Sequence, residues 1–264
     1  MEKIVVSILM GAYNCEKTLE SAIDSILKQT YSHWEFIICD DGSIDGTEAI
    51  LRKYKDNPKF IILKNEKNIG LAATLNKCFE KSSGKYLARQ DADDSSVLNR
   101  LELLVDFLDK HQVVDVLGSN ANLVNHGQDW GKYLTQENPS FLDWAKGTQI
   151  IHAAAIFRRE IFQKVNGYDP TAIRVEDYDL WMRMLAKGAI FSNLQAALYN
   201  IQWNEKDYER KKKSDRLREI VYKFKLIKLN KMPLYCYLMI LKPMLLMFFP
   251  NKVLYLYHSA KMKK

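Results

Sequence analysis

Through the first hundred residues, short apolar runs alternate with segments of helical period. Ile4 to Met10 is an apolar run interrupted only by Ser7, and the segment after it places Leu19, Ala22, Ile23, Ile26 and Leu27 on one helical face. Phe36 to Cys39 predicts a second strand ending in Asp40-Asp41-Gly42-Ser43, and Asp45 with Glu48 three residues on marks a capped helix start. Phe60 to Leu63 predicts a third strand. Leu71, Leu75, Cys78 and Phe79 line the next helix, and Tyr86 to Arg89 forms a fourth strand. Strand and helix in strict alternation predict an α/β fold, a mostly parallel sheet flanked by crossover helices.

Beyond residue 100 the pattern loosens. Leu101, Leu104, Val105 and Leu108 mark a helix and Val113 to Leu117 a strand, whereas residues 119–150 read as irregular. Ala154 to Phe157 predicts a strand, Tyr178 to Lys187 a helix with Leu180, Trp181, Met184 and Leu185 inward, and Ala196 to Trp203 a last strand. Residues 1–203 form one domain on this reading, and 204–264 an extension of different character. The extension carries 16 Lys and Arg against 5 Asp and Glu, so the net charge of +7 belongs to it and the first 203 residues are slightly acidic. Leu217, Ile220, Val221 and Phe224 recur at helical spacing among its cations, which predicts an amphipathic basic helix over 205–231. The apolar stretch from Pro233 to Pro250 is interrupted by Lys242-Pro243, so it suits a membrane interface better than a span of about 20 apolar residues.

A chain of 264 residues with 47% apolar content buries one substantial core. Cys15, Cys39, Cys78 and Cys236 form no Cys-x-x-Cys pair, which argues against a zinc site or disulfide framework and fits a reducing cytoplasm. The first apolar run lacks the basic flank and small-residue site of a signal peptide. No base-stacking motif accompanies the basic tail, so nucleic acid is excluded as its partner and an anionic lipid surface is favoured.

The chemistry gathers at strand ends. Asp91-Ala92-Asp93-Asp94 offers three carboxylates in four residues, suited to a hard divalent cation such as Mg²⁺ or Mn²⁺, though a solvated acidic turn has the same composition. Ligands of open α/β sheets bind outside the carboxyl ends of the strands, so Tyr13-Asn14, Asp40-Asp41 and Asp91 to Asp94 should meet at one crevice.

Five motifs in order resemble family 2 glycosyltransferases over roughly residues 3–203. They are Ser7 to Asn14 with Gln29-Thr30-Tyr31, the run Asp40 to Thr47, Asn68-Ile69-Gly70, Asp91 to Asp94, and Glu176-Asp177-Tyr178-Asp179-Leu180-Trp181. The resemblance implies a GT-A fold, a UDP-sugar donor and inversion at the anomeric carbon. It implies that Tyr13 stacks on the base, Asp41 bonds the uracil edge and Asp91 lies near the ribose. Asp93 would be the metal ligand, with Asp91 beside it and Asp94 in support, for Mn²⁺ or Mg²⁺. Asp177 matches the catalytic base, with Glu176 beside it, and Asp179 is expected to be structural.

His152-Ala153, Val97-Leu98 and Tyr199-Asn200 depart from the pattern usual among such enzymes, and His152 is left between facing the acceptor and packing behind the sheet. Arg89, Arg158 and Arg174 are left between phosphate contact and a structural role. Residues 119–150 are expected to supply acceptor loops. Together with the tail, the resemblance suggests a peripheral enzyme at the cytoplasmic face of a bacterial inner membrane. There it would move one hexose, galactose first and glucose next, in β linkage to N-acetylglucosamine on undecaprenyl diphosphate during O-antigen or other surface-polysaccharide synthesis. A nucleotidyltransferase would carry a glycine-rich basic loop after its first strand, and Gly11-Ala12-Tyr13-Asn14 does not. A non-catalytic nucleotide-sugar scaffold would not need Asp41, Asp93 and Asp177 together.

Overall fold

The computed structural model describes residues 4–125, 128–202 and 213–246, together with 249, 253 and 256. Trp203 and the basic run Arg210-Lys211-Lys212 lie outside the described residues. Strands β1 (Val6–Ala12), β2 (Trp34–Asp40), β3 (Phe60–Lys64) and β4 (Tyr86–Arg89) alternate with helices α1 (Leu19–Leu27), α2 (Thr47–Arg52) and α3 (Leu71–Glu80). These strands run parallel in the order β3-β2-β1-β4, as their near-continuous apolar sequences require of a sheet covered on both faces.

The period of two along each strand divides the core. Ile8, Met10, Phe36, Ile38 and Ala88 point to one face, against Leu19, Ile23 and Ile26 of α1 and Leu101, Leu104 and Leu108 of α4 (Arg100–Lys110). Leu9, Ile37, Cys39 and Leu87 point to the other, against Leu75 and Cys78 of α3 and Leu180, Trp181 and Met184 of α6 (Glu176–Ala186). The result is an α/β/α sandwich in which β1 lies between β2 and β4, so the ends of three motif-bearing strands are neighbours.

The second half of the sheet is mixed. β8 (Ile156–Arg158), which leads into α5 (Arg159–Lys164), joins β4 to β6 (Val116–Asn125) by antiparallel pairing, and β6 pairs parallel with β9 (Phe191–Gln202). β5 (Ser95–Ser96) and β7 (Gln128–Tyr133) pair antiparallel with β9 and β6. The expectation of an irregular stretch over 119–150 is therefore corrected, since β6 extends to Asn125 and folds back as β7. Sequence pattern misses this extension because polar groups build it. Asn122 Nδ2 donates to Asn200 Oδ1 at 2.9 Å, and Asn120 Oδ1 accepts from the amide and hydroxyl of Thr135 at 2.7 and 2.9 Å.

The helix Lys213–Leu229 also departs from expectation. Leu226 and Ile227 enter the same hydrophobic cluster as Trp144 and Trp181, as do Met232, Cys236 and Ile240 beyond the helix. The extension thus shares the core of the sandwich. Leu217, Val221 and Phe224 face away from it and are exposed. Among the described residues, no helix is long and apolar enough to cross a membrane.

One close approach ties β4 to β1. Gly84 donates its amide to Ser7 Oγ at 2.7 Å, and a Cβ on Gly84 would meet the Ser7 nitrogen at 2.6 Å. Gly84→Ala should therefore cost roughly 1–3 kcal/mol of stability through overpacking. Urea unfolding checks this, and an unchanged midpoint would contradict the approach.

Candidate active site

Asp41 follows β2 and is 4% exposed. Its Oδ1 accepts from Asn65 Nδ2 at 2.8 Å and the Ile69 amide at 2.9 Å, and its Oδ2 accepts from the Gly70 amide at 3.0 Å. The carboxylate thereby ties the loop before α3 to the end of β2. A carboxylate has about four acceptor positions, so room remains on Oδ2 for one ligand N–H. Gly42 stands at φ +73°, where a Cβ would strike the backbone of Lys67 at 2.7 Å. This packing shapes a cavity of about 340 Å³ lined by Tyr13, Asp41, Asn68, Gly70, Arg174 and Glu176, among others. Tyr13 stands at the rim, 48% exposed, with its ring available for stacking.

A second cavity of about 640 Å³ adjoins the first, sharing Gly11, Tyr13 and Leu71, and is walled by Asp91 and Asp93. The acidic turn is held from below. Arg89 and Arg100 are both fully buried. Arg89 forms an ion pair with Asp91 through Nη2, and its Nη1 donates to the carbonyls of Leu9 at 2.7 Å and Gln90 at 3.1 Å. Arg100 donates to Gln90 Oε1, Ser96 Oγ and the carbonyls of Arg89 and Ala153, and its guanidinium lies 4.8 Å from the Tyr199 ring centre. Gln90 Nε2 bonds the carbonyls of Asp91 and Asp94 at 3.0 and 3.1 Å, and the Asp91 amide donates to the Tyr199 hydroxyl at 3.0 Å.

Asp94 is 7% exposed and lines neither cavity. Its Oδ1 accepts the Gln202 amide at 2.8 Å, and burial, reinforced by the charges of Asp93 and Asp91, pushes its pKa well up. Among the described residues no three His, Cys, Asp or Glu side chains converge as a ready cation cage. The donor set still fits Mg²⁺ or Mn²⁺, which are held by one or two carboxylates plus substrate phosphates. Exposed Asp93 and the remaining oxygen of Asp91 supply those carboxylates on a cavity wall.

α6 opens with Glu176 and Asp177, near the positive end of the helix dipole. Asp177 Oδ1 accepts the Tyr178 amide at 2.7 Å. Tyr133, brought in by β7, has its pKa raised by burial and secondarily by the charge of Asp177. Glu176 Oε2 has no hydrogen-bond partner among the described residues, and burial raises the pKa of the group. Asp179 bonds Arg183 at 2.7 Å, and Arg183 also holds the carbonyls of Val165 and Gly167.

Arg158 is spent on the carbonyls of Val114, Leu108 and His111. His152 packs in place, its Nε2 2.7 Å from the Tyr168 hydroxyl and its ring edge-on to Trp181. Desolvation, and secondarily Arg89, holds it neutral by pushing its pKa well down. Gln90, Arg100 and Tyr199 were not identified from sequence as supports of the site; their one visible signal is that Gln90 and Arg100 are polar residues flanking the acidic turn.

The raised pKa of Glu176 has a definite sign. A carboxyl that holds its proton more tightly when folded loses stability as pH rises from its unfolded value, about 4.3, through its higher folded value. Glu176→Gln should therefore gain in stability relative to wild type from pH 4 to pH 8, as read from paired urea titrations. A constant difference across that range would contradict the burial of the charge.

The family whose sequence profile matches is Glycosyl transferase family 2, over residues 7–165. The chain is 35% identical over 260 residues to the Bacillus subtilis protein named Putative glycosyltransferase EpsE, spanning 97% of this chain and 94% of that one. It is 30% identical over 185 residues to the Escherichia coli UDP-Glc:alpha-D-GlcNAc-diphosphoundecaprenol beta-1,3-glucosyltransferase WfgD, covering 70% of this chain and 71% of that one. Among solved structures, residues 1–349 of S. aureus TarS in complex with UDP-GlcNAc superpose with a TM-score of 0.66 at 19% identity, over 84% of this chain and 70% of that one. The mannosyltransferase PcManGT of Pyrobaculum calidifontis, in complex with GDP-Man and Mn²⁺, gives a TM-score of 0.66 at 18% identity, over 99% of this chain and 74% of that one. These two share the fold, which is GT-A. With its motifs set at adjoining strand ends and relatives of this similarity across its length, the chain belongs to glycosyl transferase family 2.

Proposed function

We propose that the protein is an inverting, metal-dependent hexosyltransferase of bacterial surface-polysaccharide synthesis, using a UDP-sugar donor and a glycan carried on undecaprenyl diphosphate. The observation that carries this reading is the pair of adjoining cavities, one with Asp41 and Tyr13, the other with Asp91 and Asp93, beside the helix start that bears Asp177. Tyr13 stacks on the uracil and Asp41 accepts its N–H. Asp93, with Asp91, would hold a divalent cation, which when bound neutralises charge on the departing diphosphate. Asp177 takes the proton from the acceptor hydroxyl as that oxygen attacks the anomeric carbon from the face opposite UDP, and Glu176 shapes the same end of the site. Inversion of configuration follows from a single displacement.

The donor and acceptor are proposed from relatives. WfgD and WfaP, both from Escherichia coli, are named UDP-Glc:alpha-D-GlcNAc-diphosphoundecaprenol beta-1,3-glucosyltransferases, which supports a GlcNAc-diphosphate-lipid acceptor and moves glucose ahead of galactose as the donor sugar. The test incubates purified protein with UDP-glucose or UDP-galactose, Mn²⁺ and a GlcNAc-diphosphate-lipid analogue. A β-linked disaccharide is expected, and Asp177→Asn should lower its rate by roughly 10²- to 10⁴-fold with the melting temperature retained. Efficient glycosylation of a free sugar and none of the lipid analogue would reject the acceptor.

We further propose that the protein sits peripherally on an anionic leaflet at the cytoplasmic face of the inner membrane. Leu217, Val221 and Phe224 are 54%, 58% and 54% exposed along one stripe of the helix Lys213–Leu229, with exposed Lys225 and Lys228 on the same helix. Each cation near such a leaflet adds about 1 kcal/mol of attraction. In liposome flotation the full chain should bind phosphatidylglycerol vesicles and not phosphatidylcholine ones. Replacing Leu217, Val221 and Phe224 together by Gln should abolish binding while turnover of a water-soluble acceptor analogue persists. Unaltered flotation of that variant would remove this stripe as the contact.

A further inference from the structure

The loop 169–175 enters α6 through an unusual pair. Ala172 and Val175 are buried, and Ile173 and Arg174 between them are exposed and line the 340 Å³ cavity that also holds Tyr13 and Asp41. Arg174 stands at φ +68°. A side chain other than glycine in this left-handed region is strained, and the strain persists only where surrounding contacts over-determine it.

Those contacts are present. The Ala172 amide donates to Asp169 O and the Val175 amide to Ala172 O, each at 3.0 Å. Thr171 donates its amide and hydroxyl to Asp169 Oδ1 at 2.8 and 2.7 Å. Arg218, from the helix Lys213–Leu229, donates to the Ile173 carbonyl at 3.1 Å. The turn is pinned on both sides, and the strained residue is aimed at the cavity.

The charge of Arg174 is not consumed by the fold. Arg89, Arg100, Arg158 and Arg183 each spend terminal guanidinium nitrogens on carbonyls or carboxylates of the fold. Arg174 is the only Lys or Arg among the described residues lining its cavity. Its backbone hydrogen-bonds the Glu176 carboxylate, but its guanidinium makes no hydrogen bond or ion pair to the described residues. Neighbouring Glu176 feels its charge, yet Glu176 Oε2 has no hydrogen-bond partner among the described residues. A planar cation presented in this way suits a ligand that is both aromatic and anionic, since guanidinium stacks on rings and pairs with phosphate oxygens.

We infer that Arg174 is a donor-binding residue, the arm by which loop 169–175 grips the nucleoside diphosphate from a side of the cavity that Tyr13 and Asp41 do not supply. This rests on the nucleotide-sugar reading of the site. The experiment measures UDP binding in the presence of Mn²⁺ by calorimetry for wild type, Arg174→Ala and Arg174→Gly, with donor KM and kcat alongside. Both variants lack the guanidinium, but Gly relaxes the left-handed backbone while Ala keeps it strained, so Gly should be the more stable of the two on heating. Both should weaken UDP about tenfold or more, the loss of a charge-assisted contact, and raise donor KM with kcat at saturating donor nearly retained. Wild-type affinity in both variants would overturn the inference alone. Weakening in Arg174→Gly only would also overturn it, by assigning the effect to loop shape. A wild-type chain that binds no UDP would overturn the nucleotide reading and the inference with it.

Discussion

Two fully buried guanidinium groups, those of Arg89 and Arg100, sit beneath the acidic turn, and the geometry of the site depends on how their charge is satisfied. Burial pushes the pKa of Arg100 down to about 10, whereas Arg89, equally buried, stays raised because Asp91 lies against it. A buried charge is tolerable only when it is paired and its donors are used. Here the terminal nitrogens are used on β1, on the end of β4, on Gln90, on Ser96 and on the turn before β8, while each Nε has no partner among the described residues. The same bonds that neutralise the arginines fix Asp91 relative to β1, whose next residues lead to Tyr13. The positive charge below also offsets the mutual repulsion of Asp91, Asp93 and Asp94. A turn that would otherwise splay is therefore held with Asp93 outward and Asp94 inward.

The parallel sheet supplies the remaining order. Because β1 lies between β2 and β4, residues far apart in sequence emerge at one edge, with the cavity that holds Tyr13 and Asp41 over β1 and β2 and the acidic cavity over β1 and β4. The mixed half of the sheet brings the other partners. β9 delivers Tyr199 to the Asp91 amide and the Gln202 amide to Asp94, and the β6–β7 hairpin delivers Tyr133 toward Asp177. The first half thus carries Tyr13, Asp41 and the acidic turn, and the second half helps to hold that turn in place.

The C-terminal helix links the surface to this centre. One face of Lys213–Leu229 is absorbed into the core through Leu226 and Ile227, and the buried Lys223 ammonium caps the Lys146 carbonyl at 3.3 Å. Its Arg218 holds the carbonyl next to Arg174. The apolar stripe that faces outward and the loop that lines the 340 Å³ cavity are therefore joined through one helix.

The sequence by itself determined the parallel half of the fold and the strand-end motifs. Ile4 to Met10, Phe36 to Cys39, Phe60 to Leu63 and Tyr86 to Arg89 are apolar enough to have no alternative to burial, and their helices declare themselves by period. The positions of Tyr13, Asp41, Asp91 and Asp93 followed, because loops at the carboxyl ends of neighbouring parallel strands must share an edge. Tertiary structure alone decided the rest. The polar strand β6 is stabilised by Asn and Thr pairs that carry no apolar alternation. Whether an arginine is spent or available is written in long-range bonds, which separate Arg89, Arg100 and Arg158 from Arg174. Which face of the basic helix turns inward was likewise set by contact with α6, because its sequence offers an apolar stripe on each side and only packing chooses between them.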